Sequence, residues 1–558
     1  MDVTQWYATA LGGLVALYVI SFSLLTIFKK IGPGAKFQIK KIGTHVKRQF
    51  LKHVYYPQIP KVLRGSEKTT RFDLLLTIIF LIGIVCSTTI RVEDTAGLRR
   101  RSGVISIINL IPLSGGAHMN FLTNACGIRL DVYGRIHRWL GRVAVVEGLV
   151  HVIAAVSLQM PDLHVLPDIA GLTATATMVT LVLCSLSSVR DRFYEIFLKL
   201  HLILATALIA TLFIHSKSKR LTATPTLYLL SAICLQILIR GLRFGEVLYR
   251  NVKYRTPVGR AVIRSVIFKR DSSRDIPVSD VVHVHVRPSR PWRYRAGQYV
   301  YLCIPGLTYT SFAQSHPFYV AWWYQHQGND YVVLIVQRRR GLTNDLRMHA
   351  SASDDPSQHS ERRALIEGPY GRELNLESYE TVMLFATDIG IAGQIAHVTQ
   401  LLEGYRSGGI KTQRIRLFWE IDSELHAAWV ADMMKDLLNE DRDRILDIKL
   451  FVVGFFLSVH TNRGDTAQLG KRINIAYQAM DAENLINSEV ENRHPGRIVV
   501  SLCTNDEMSD KVRGVVRGKL DTNIHLEELE FRPASSRGRR KGWREMFAVG
   551  SKARAAQV

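Results

Sequence analysis

The chain has 558 residues, enough for two or three domains, and 47% of them are apolar. The net charge of +24 would suit a nucleic-acid-binding protein, but much of it falls in two segments. Residues 29–65 hold ten Lys or Arg and no acid, and residues 532–558 hold eight against Glu545. Basic segments beside apolar spans are typical of contact with an anionic inner leaflet, so we predict a lipid bilayer partner and no nucleic acid.

The first 245 residues contain long apolar runs, each long enough to cross about 30 Å of hydrocarbon. Pro112 and Gly115-Gly116 interrupt the third run, so six or eight spans remain open beside the predicted seven. The positive-inside rule places residues 29–65, which follow the first span, in the cytosol. With seven spans in all, the C-terminal half then lies in the cytosol too. The arginines at 99–101 would lie outside and oppose this assignment. The predicted spans are 6–28, 72–92, 103–122, 139–158, 169–189, 198–215 and 225–242.

Four histidines in or beside these spans are spaced in pairs. His137 and His151 are 14 residues apart, and so are His201 and His215. Fourteen helical residues rise roughly 21 Å and return to within about 40° of the same face. Two such helices would place His137 opposite His201 and His151 opposite His215, at two depths. Ligands this far apart indicate two metal centres, and imidazole is a common axial ligand of haem iron.

From about residue 256 the pattern becomes that of a soluble protein. Short β-rich segments predict a small barrel, and after Gly-Pro-Tyr-Gly at 368–371 strands and helices alternate, which predicts a parallel sheet. Residues 455–495 show no clear strand and are expected to form an insertion with one or two helices. The predicted strands are 262–268, 281–286, 299–304, 318–323, 331–337, 381–386, 414–420, 448–454 and 497–503.

Three segments of this half carry candidate binding residues. His-Pro-Phe-Tyr at 316–319 lies in the barrel, and the turn at 341–346 is suited to open a helix whose N–H groups face a phosphate. Gly-Ile-Ala-Gly at 390–393 lies where the first parallel strand meets its helix, the usual place for a dinucleotide phosphate. Each segment alone is weak evidence for a binding site. Their occurrence in this order after the apolar half of the chain is a much more specific pattern.

The chain resembles the ferric reductase and NADPH oxidase superfamily, most closely the fungal ferric-chelate reductases. The resemblance rests on the four histidines and on the motifs at 316–318, 368–371 and 390–393. The resemblance implies a six-helix haem-binding membrane domain followed by a cytosolic ferredoxin-reductase-like module. That module comprises an antiparallel FAD-binding β-barrel and an α/β parallel-sheet nucleotide domain. The implied domains are 1–71 (first helix and basic segment), 72–245 (haem), 256–372 (FAD), 376–531 (NAD(P)H, with the insertion near 455–495) and 532–558 (basic tail).

The resemblance also implies a reaction order and its cofactors: NADPH, FAD and two b-type haems. NADPH gives a hydride to FAD in the cytosol, single electrons reach the inner and then the outer haem, and an external ferric chelate accepts them. The resemblance implies a plasma-membrane location and assigns no catalytic residue. The implied ligands are His137, His151, His201 and His215 for haem; His316, Pro317, Phe318, Tyr319, Thr343, Gly368 and Phe531 for flavin; and Gly390, Ile391, Ala392, Gly393 and Cys503 for the nucleotide.

The sequence departs from the family pattern in three places. Tyr319 stands where Ser or Thr is usual, Thr387-Asp388 where two glycines are usual, and Cys503-Thr504-Asn505 replaces Cys-Gly-Pro. Asp388 would put negative charge beside a phosphate. Arg414 and Arg416 are the candidates for a 2′-phosphate clamp, so NADPH over NADH rests on the resemblance.

Two other functions fit the same residues. A superoxide-producing NADPH oxidase would pass its electrons to oxygen at the outer haem. A haem-binding membrane partner with a degenerate nucleotide site would have no turnover, and Asp388 with Thr504-Asn505 keeps that alternative open. The sequence leaves open the chelate, the membrane and the oligomeric state.

Overall fold

The computed structural model describes residues 2–30, 47–59, 69–190, 192–216, 223–253, 258–270, 273–339, 341–352, 361–456, 461–469, 472–492, 496–531 and 533. The chain divides into a first unit, residues 1–43 and 58–246, and a second unit, residues 44–57 and 247–558. The predicted basic tail at 532–558 lies outside the described residues apart from Pro533, and so does much of the basic segment 29–65.

The first unit is built from helices. The helices are α1 (Val3–Lys30), α2 (Arg71–Thr89), α3 (Thr95–Ser114), α4 (Met119–Cys126), α5 (Leu130–Leu158), α6 (Leu166–Ser185), α7 (Tyr194–His215) and α8 (Thr224–Asn251). Among the described residues, the six helices α1, α2 and α5–α8 are long and apolar enough to cross a membrane.

Helix α3 replaces the third predicted span, with different bounds. Asp94 caps its start by accepting the Gly97 N–H at 2.8 Å, and Pro112 lies in its last turn before the 3-10 turn Gly115–His118. Arginines 99–101 lower its hydropathy, which explains why the apolar run in the sequence begins later than the helix. Residues 104–110 of α3 are nevertheless all buried.

The second unit opens with a curled antiparallel sheet, the predicted barrel. Its strand order is β6-β1-β2-β5-β4-β3-β7, and alternate residues such as Val282, Val284 and Val286 fill its core. Helix α9 (Leu342–Ala352) begins at the turn that the sequence predicted would open a helix. The strands are β1 (Arg260–Arg270), β2 (Ser273–Arg287), β3 (Tyr299–Cys303), β4 (His316–His326), β5 (Asn329–Gln337), β6 (Arg362–Arg363) and β7 (Leu365–Tyr370).

A second sheet follows, with strand order β11-β12-β10-β9-β8-β13-β14. Its strands are parallel except that β11 runs antiparallel to β12, so the parallel strands end at one edge, which we call the carboxyl edge. In chain order the elements are β8 (Thr381–Thr387), α10 (Ile391–Arg406), β9 (Arg414–Ser423), α11 (Ala431–Glu440), β10 (Leu446–Phe455), β11 (Thr466–Leu469), β12 (Ile473–Ala476), α12 (Ala482–Glu491), β13 (Ile498–Cys503), α13 (Asp506–Gly518) and β14 (Ile524–Glu528).

The expectation of no strand within 455–495 was wrong. This stretch contains β11 and β12, four residues each, as well as the expected helix α12. Two strands this short give too little alternation for a pattern to emerge from the sequence. They are formed because β12 adds to the edge of an existing sheet beside β10, which supplies its hydrogen-bond partners.

Two connections from the helices pack within the second unit. Between α1 and α2, the Lys52 carbonyl accepts from Arg517 Nε at 2.8 Å, and Arg48 pairs with Asp521 at 3.2 Å. At the end of α8, Asn251 Nδ2 donates to the Ile366 carbonyl at 2.6 Å, and its Oδ1 accepts from the Ile366 N–H at 2.8 Å. Both connections are therefore held by specific side-chain hydrogen bonds.

Candidate functional site

The first unit brings the four predicted histidines together in two facing pairs. The ring centres of His137 and His201 are 6.2 Å apart, and those of His151 and His215 are 6.1 Å apart. In each pair one ring comes from α5 and the other from α7. Two imidazoles on opposite sides of one metal, with bonds of about 2 Å, would have ring centres roughly 6 Å apart.

Backbone carbonyls orient both rings of the second pair. His151 Nδ1 lies 2.7 Å from the Arg99 carbonyl, and His215 Nδ1 lies 2.7 Å from the Pro167 carbonyl. A ring that donates Nδ1–H to a carbonyl keeps its Nε2 lone pair for a metal, which is how protein histidines are usually prepared for ligation. The second pair is therefore oriented for coordination through Nε2.

The first pair is held more loosely. His201 Nδ1 lies 3.4 Å from Ser185 Oγ, and the Phe197 ring packs 5.3 Å from the His201 ring, centre to centre. The Nδ1 atom of His137 is buried and has no hydrogen-bond partner among the residues that the structure describes. The ring of His137 is therefore positioned by its packing against Gly116, with Nδ1 on the side of that glycine.

Glycines make room for three of the four rings. A Cβ atom at any of these glycines would lie too close to the facing imidazole, so a larger residue would displace the ring. Together with the ring spacing and the Nδ1 contacts, this close packing fits the haems that the resemblance implies. The glycine–ring contacts are Gly116 with His137, Gly103 with His151 (2.6 Å to Nδ1) and Gly171 with His215 (2.7 Å to Nδ1).

Sequence reasoning missed an acidic side chain on α5. Glu147, one turn before His151, is 5% exposed, and its Oε1 accepts from Thr88 Oγ1 at 2.8 Å. Ionisable groups inside a membrane domain are costly and usually have a function. A single glutamate in an apolar helix has no spacing partner, which is why no sequence pattern identified it.

The predicted flavin residues lie at one end of the antiparallel sheet, where β3 pairs with β4 and β7. His316-Pro317-Phe318-Tyr319 begins β4, and Tyr299 of β3 is in register with both Tyr319 and Tyr370. Gly368 has φ +112° and a Cβ there would lie 3.0 Å from the Tyr370 nitrogen, so the turn requires glycine. The motifs at 316–319 and 368–371 are thus joined by β3.

Thr343 lies in the first turn of α9. Its Oγ1 accepts the Arg339 N–H at 2.7 Å, and Gly341, with φ +77°, makes the turn that opens the helix. Free N–H groups at a helix start suit a phosphate, so this end of α9 fits the flavin pyrophosphate that the resemblance implies.

Phe531 is held directly against the predicted flavin residues. Its N–H donates to the Tyr319 hydroxyl at 2.9 Å, and its ring meets the Tyr299 ring edge-on with centres 4.6 Å apart. Complete burial raises the pKa of the Tyr319 phenol well above 10, so the hydroxyl stays neutral. Tyr319, a departure from the family pattern, therefore fixes Phe531, which a shorter Ser or Thr in its place would be less able to reach.

The predicted nucleotide glycines lie at the carboxyl edge, between β8 and α10. A Cβ at Gly390 would collide with the Cys503 carbonyl, and one at Gly393 would lie 2.6 Å from Leu529 Cδ2. Ile391 and Ala392 are buried at the start of α10. Only glycine allows the β8–α10 turn to approach the end of β13 this closely.

Two departures from the family pattern are bonded to each other. The Asn505 N–H donates to Thr387 Oγ1 at 2.8 Å, so the side chain that replaces one glycine holds the segment that replaces Gly-Pro. Asp388 adopts φ +46° and is 3% exposed, and its carbonyl accepts from Trp419 Nε1 at 2.9 Å. Aspartate tolerates this left-handed conformation better than most residues, which explains how it stands in a glycine position.

Arg414 and Arg416 do not lie at the nucleotide edge, so they are wrong as candidates for a phosphate clamp. Both are at the start of β9, the opposite end from the carboxyl edge. Arg414 bonds Glu489 at 2.9 Å, and Arg416 pairs with Glu489 at 3.2 Å and with Asp447. Both residues lie near the start of the predicted strand 414–420, and in a parallel sheet that end is opposite the edge that carries the nucleotide glycines.

Three family models match this chain in succession. Residues 102–212 match the ferric reductase like transmembrane component, residues 271–374 an FAD-binding domain, and residues 379–517 the ferric reductase NAD binding domain. These three matches support membership of the ferric reductase family. The six apolar helices among the described residues and the transmembrane match support a multi-pass membrane protein, and FAD-binding and NAD-binding domains follow these helices in the chain.

Similar curated proteins are fungal. The chain is 28% identical to ferric/cupric reductase transmembrane component 2 of Saccharomyces cerevisiae over 59% of its own length and 43% of that protein's. It is 22% identical to the probable cell surface ferric reductase kap2 of Aspergillus oryzae, over 60% of its own length and 45% of that protein's. Ferredoxin-NADP+ reductase from Plasmodium falciparum is 10% identical over 50% of this chain and 98% of its own, with a TM-score of 0.31. The chain spans about half the length of the curated relatives it matches.

Proposed function

We propose that this protein carries electrons from a nicotinamide nucleotide, through FAD and two b-type haems, to a ferric chelate across the membrane. The facing histidine pairs carry this proposal, because they lie in one chain with an FAD-binding and an NAD-binding domain. Family membership supports NADPH or NADH as the donor, and the relatives' names support ferric iron as the substrate.

The residues of the second unit divide the work on the donor side. FAD, when bound, supplies the conversion of a two-electron hydride into the single electrons that haem iron accepts. His316-Pro317-Phe318 would hold the flavin ring, and Thr343 with the first turn of α9 would bind its phosphates. Tyr319 keeps Phe531 against this site and so excludes water from it.

The connection between α1 and α2 supports one orientation in the membrane. Its residues 47–57 belong to the second unit, and so does the chain from Val247 at the end of α8. Both points must then lie on the same face of the membrane, and the helices of 19 residues or more between them are α2, α3 and α5–α8. Because an even number of crossings returns to the same face, α3 must cross as well. The basic character of residues 29–65 supports the cytosol for that face.

The same count gives the histidine pairs a direction. With this count α5 and α7 both begin on the cytosolic face of the membrane, and His137 and His201 each lie seven residues after their helix starts. His151 and His215 lie in the later turns of these helices, towards the opposite face. We therefore call His137/His201 the entry pair and His151/His215 the exit pair, each proposed to ligate one haem.

Arginines border the exit pair. Arg99, whose carbonyl contacts His151, begins a run of three arginines, and Arg99 and Arg100 are exposed. Positive charge attracts anionic complexes, and ferric iron bound by citrate is anionic. Oxygen is uncharged and gains nothing from this run, so the run supports a ferric chelate as the acceptor.

Anaerobic reduction of the haems tests this function. Purified, FAD-loaded protein is mixed with NADH or NADPH without oxygen, and the haem absorbance is followed. We expect both haems to become reduced and ferric citrate to reoxidise them faster than oxygen does. Haem that stays oxidised under saturating nucleotide would contradict the proposal and favour a haem-binding partner without turnover. Faster reoxidation by oxygen with release of superoxide would favour an oxidase.

A further inference from the structure

The acidic carboxyl edge beside the nucleotide glycines bears on the choice of nucleotide. From its charge and geometry we infer that the site takes NADH in preference to NADPH. The inference rests on the proposed function, because it names the donor of that reaction, and it departs from the NADPH that the family resemblance implies.

NADH and NADPH differ in the 2′ group of the adenosine ribose, and the end of β9 is the part of the site that would contact this group. In nucleotide-binding parallel sheets, an acidic residue near the end of the second strand bonds the adenosine ribose 2′-hydroxyl, whereas a nearby arginine accommodates the 2′-phosphate of NADP. β9 is the second strand here, next to β8, and Glu420 of β9 is in register with Thr387 at the β8–α10 turn. Glu420 therefore occupies the position that selects between hydroxyl and phosphate.

Neighbouring groups hold the acids of this strand end in place. Glu420 Oε2 accepts the Met480 N–H at 2.8 Å, and Glu424 Oε1 accepts from the Tyr477 hydroxyl at 3.3 Å. Asp422, half-buried, lies between them on the same strand. Glu420 and Glu424 cannot move away to admit a phosphate without breaking the hydrogen bonds that position them.

The chain segment that forms the end of β9 supplies no cation for a 2′-phosphate. The sequence has no Lys or Arg from residue 417 to residue 434, and Arg414 and Arg416 are paired at the opposite end of β9. Lys511 of α13 is near enough to act on the charge of Glu420, and it already pairs with Glu507 at 3.6 Å. The acids in the last residues of the strands or just after them at this edge are Asp388, Glu420, Asp422, Glu424, Asp506 and Glu507.

The 2′-phosphate would add a charge of about −2 at this position. Like charges a few ångströms apart repel even in water, and more strongly where a site is partly buried. NADH has a 2′-hydroxyl at this position, which would donate a hydrogen bond to the Glu420 carboxylate. The same side chain therefore favours NADH and disfavours NADPH. We expect NADH to be preferred by about tenfold or more.

Two measurements on the full-length, FAD-loaded protein in detergent test this. The dissociation constants of NAD+ and NADP+ are compared by titration, and kcat/KM for haem reduction is compared for NADH and NADPH. The double variant Glu420→Gln with Asp422→Asn should bring the two nucleotides to within about threefold, chiefly by improving NADP+ binding. Glu491→Gln is the matched control, because this exposed acid ends α12, away from the carboxyl edge, and it should leave the ratio unchanged.

The outcomes separate this inference from the proposed function. A wild-type preference for NADP+, equal binding of the two, no binding of either, or an unchanged ratio in the double variant would each overturn the inference. Retained FAD in the double variant shows that the module is folded. Haem that neither nucleotide reduces would contradict the proposed function, while the dissociation constants of NAD+ and NADP+ still decide the nucleotide preference.

Discussion

At the scale of single residues, small neighbours fix the histidine rings. Gly116, Gly103 and Gly171 each face one ring closely enough that a Cβ would displace it. Spacing in the sequence predicted which histidines belong together, because it depends only on helical periodicity. It did not predict the glycines, since they lie on other segments of the chain and their relation to the rings exists only after the helices pack.

The glycines allow each proposed haem to be removed separately. Gly116→Ala should shift His137 and lose the haem of the entry pair, whereas Gly171→Ala should shift His215 and lose that of the exit pair. Haem per chain, measured from the absorbance of the extracted pigment, should fall from about two to about one in each variant.

A glycine on the same helix as His137 and His151 provides the control. A Cβ at Gly141 would meet nothing within 4 Å, so Gly141→Ala should keep both haems. Full haem content in both Gly116→Ala and Gly171→Ala would contradict the role given to these rings.

Tyr319 is expected to slow access of the nicotinamide to the flavin. Its bond to the Phe531 N–H contributes about 1 kcal/mol, so Tyr319→Phe should speed flavin reduction by about fivefold through easier displacement of Phe531. Rapid mixing of the variant with NADH under anaerobic conditions measures this rate. An unchanged or slower rate at equal FAD content would show that Tyr319 does not restrain Phe531.

At the scale of elements, the sequence predicted structure best where one pattern dominates a segment. Long apolar helices and the alternating valines of β2 needed no neighbours to be recognised. The third predicted span began later than α3, because the arginines near the start of that helix lower its hydropathy. Strands β11 and β12 were not predicted, because each is only four residues long. Arg414 and Arg416 were proposed from their residue type alone; they lie near the start of a strand in a parallel sheet, at the edge opposite the nucleotide glycines.

The start of α3 carries a prediction of its own. Replacing arginines 99–101 by glutamine should raise the KM for ferric citrate by about tenfold and leave anaerobic haem reduction by NADH unchanged, because the run acts on the acceptor alone. Steady-state reduction of ferric citrate at low and high salt measures the effect, and salt should weaken wild-type activity more than that of the variant.

The acceptor's charge provides the comparison. A cationic ferric complex should be reduced as well by the variant as by the wild type, or better. Equal losses for anionic and cationic acceptors would mean that the arginines stabilise α3 and do not attract the substrate.

At the scale of the whole molecule, the proposed direction of electron transfer rests on the connectivity of the chain. Residues 47–57 and the end of α8 share the second unit, which makes the number of crossings between them even and orders the histidine pairs from entry to exit. No single helix contains this information. It arises because two distant connections of the chain pack in the same unit.

Sealed vesicles test this direction most directly. The protein is reconstituted with ferric citrate trapped inside and NADH added only outside, and ferrous iron formed inside is measured with a trapped indicator. We predict that the trapped iron is reduced and that His151→Ala abolishes this reduction, while external NADH still reduces the entry-pair haem in that variant. Trapped iron that stays ferric while ferric citrate added outside is reduced would contradict transfer across the membrane.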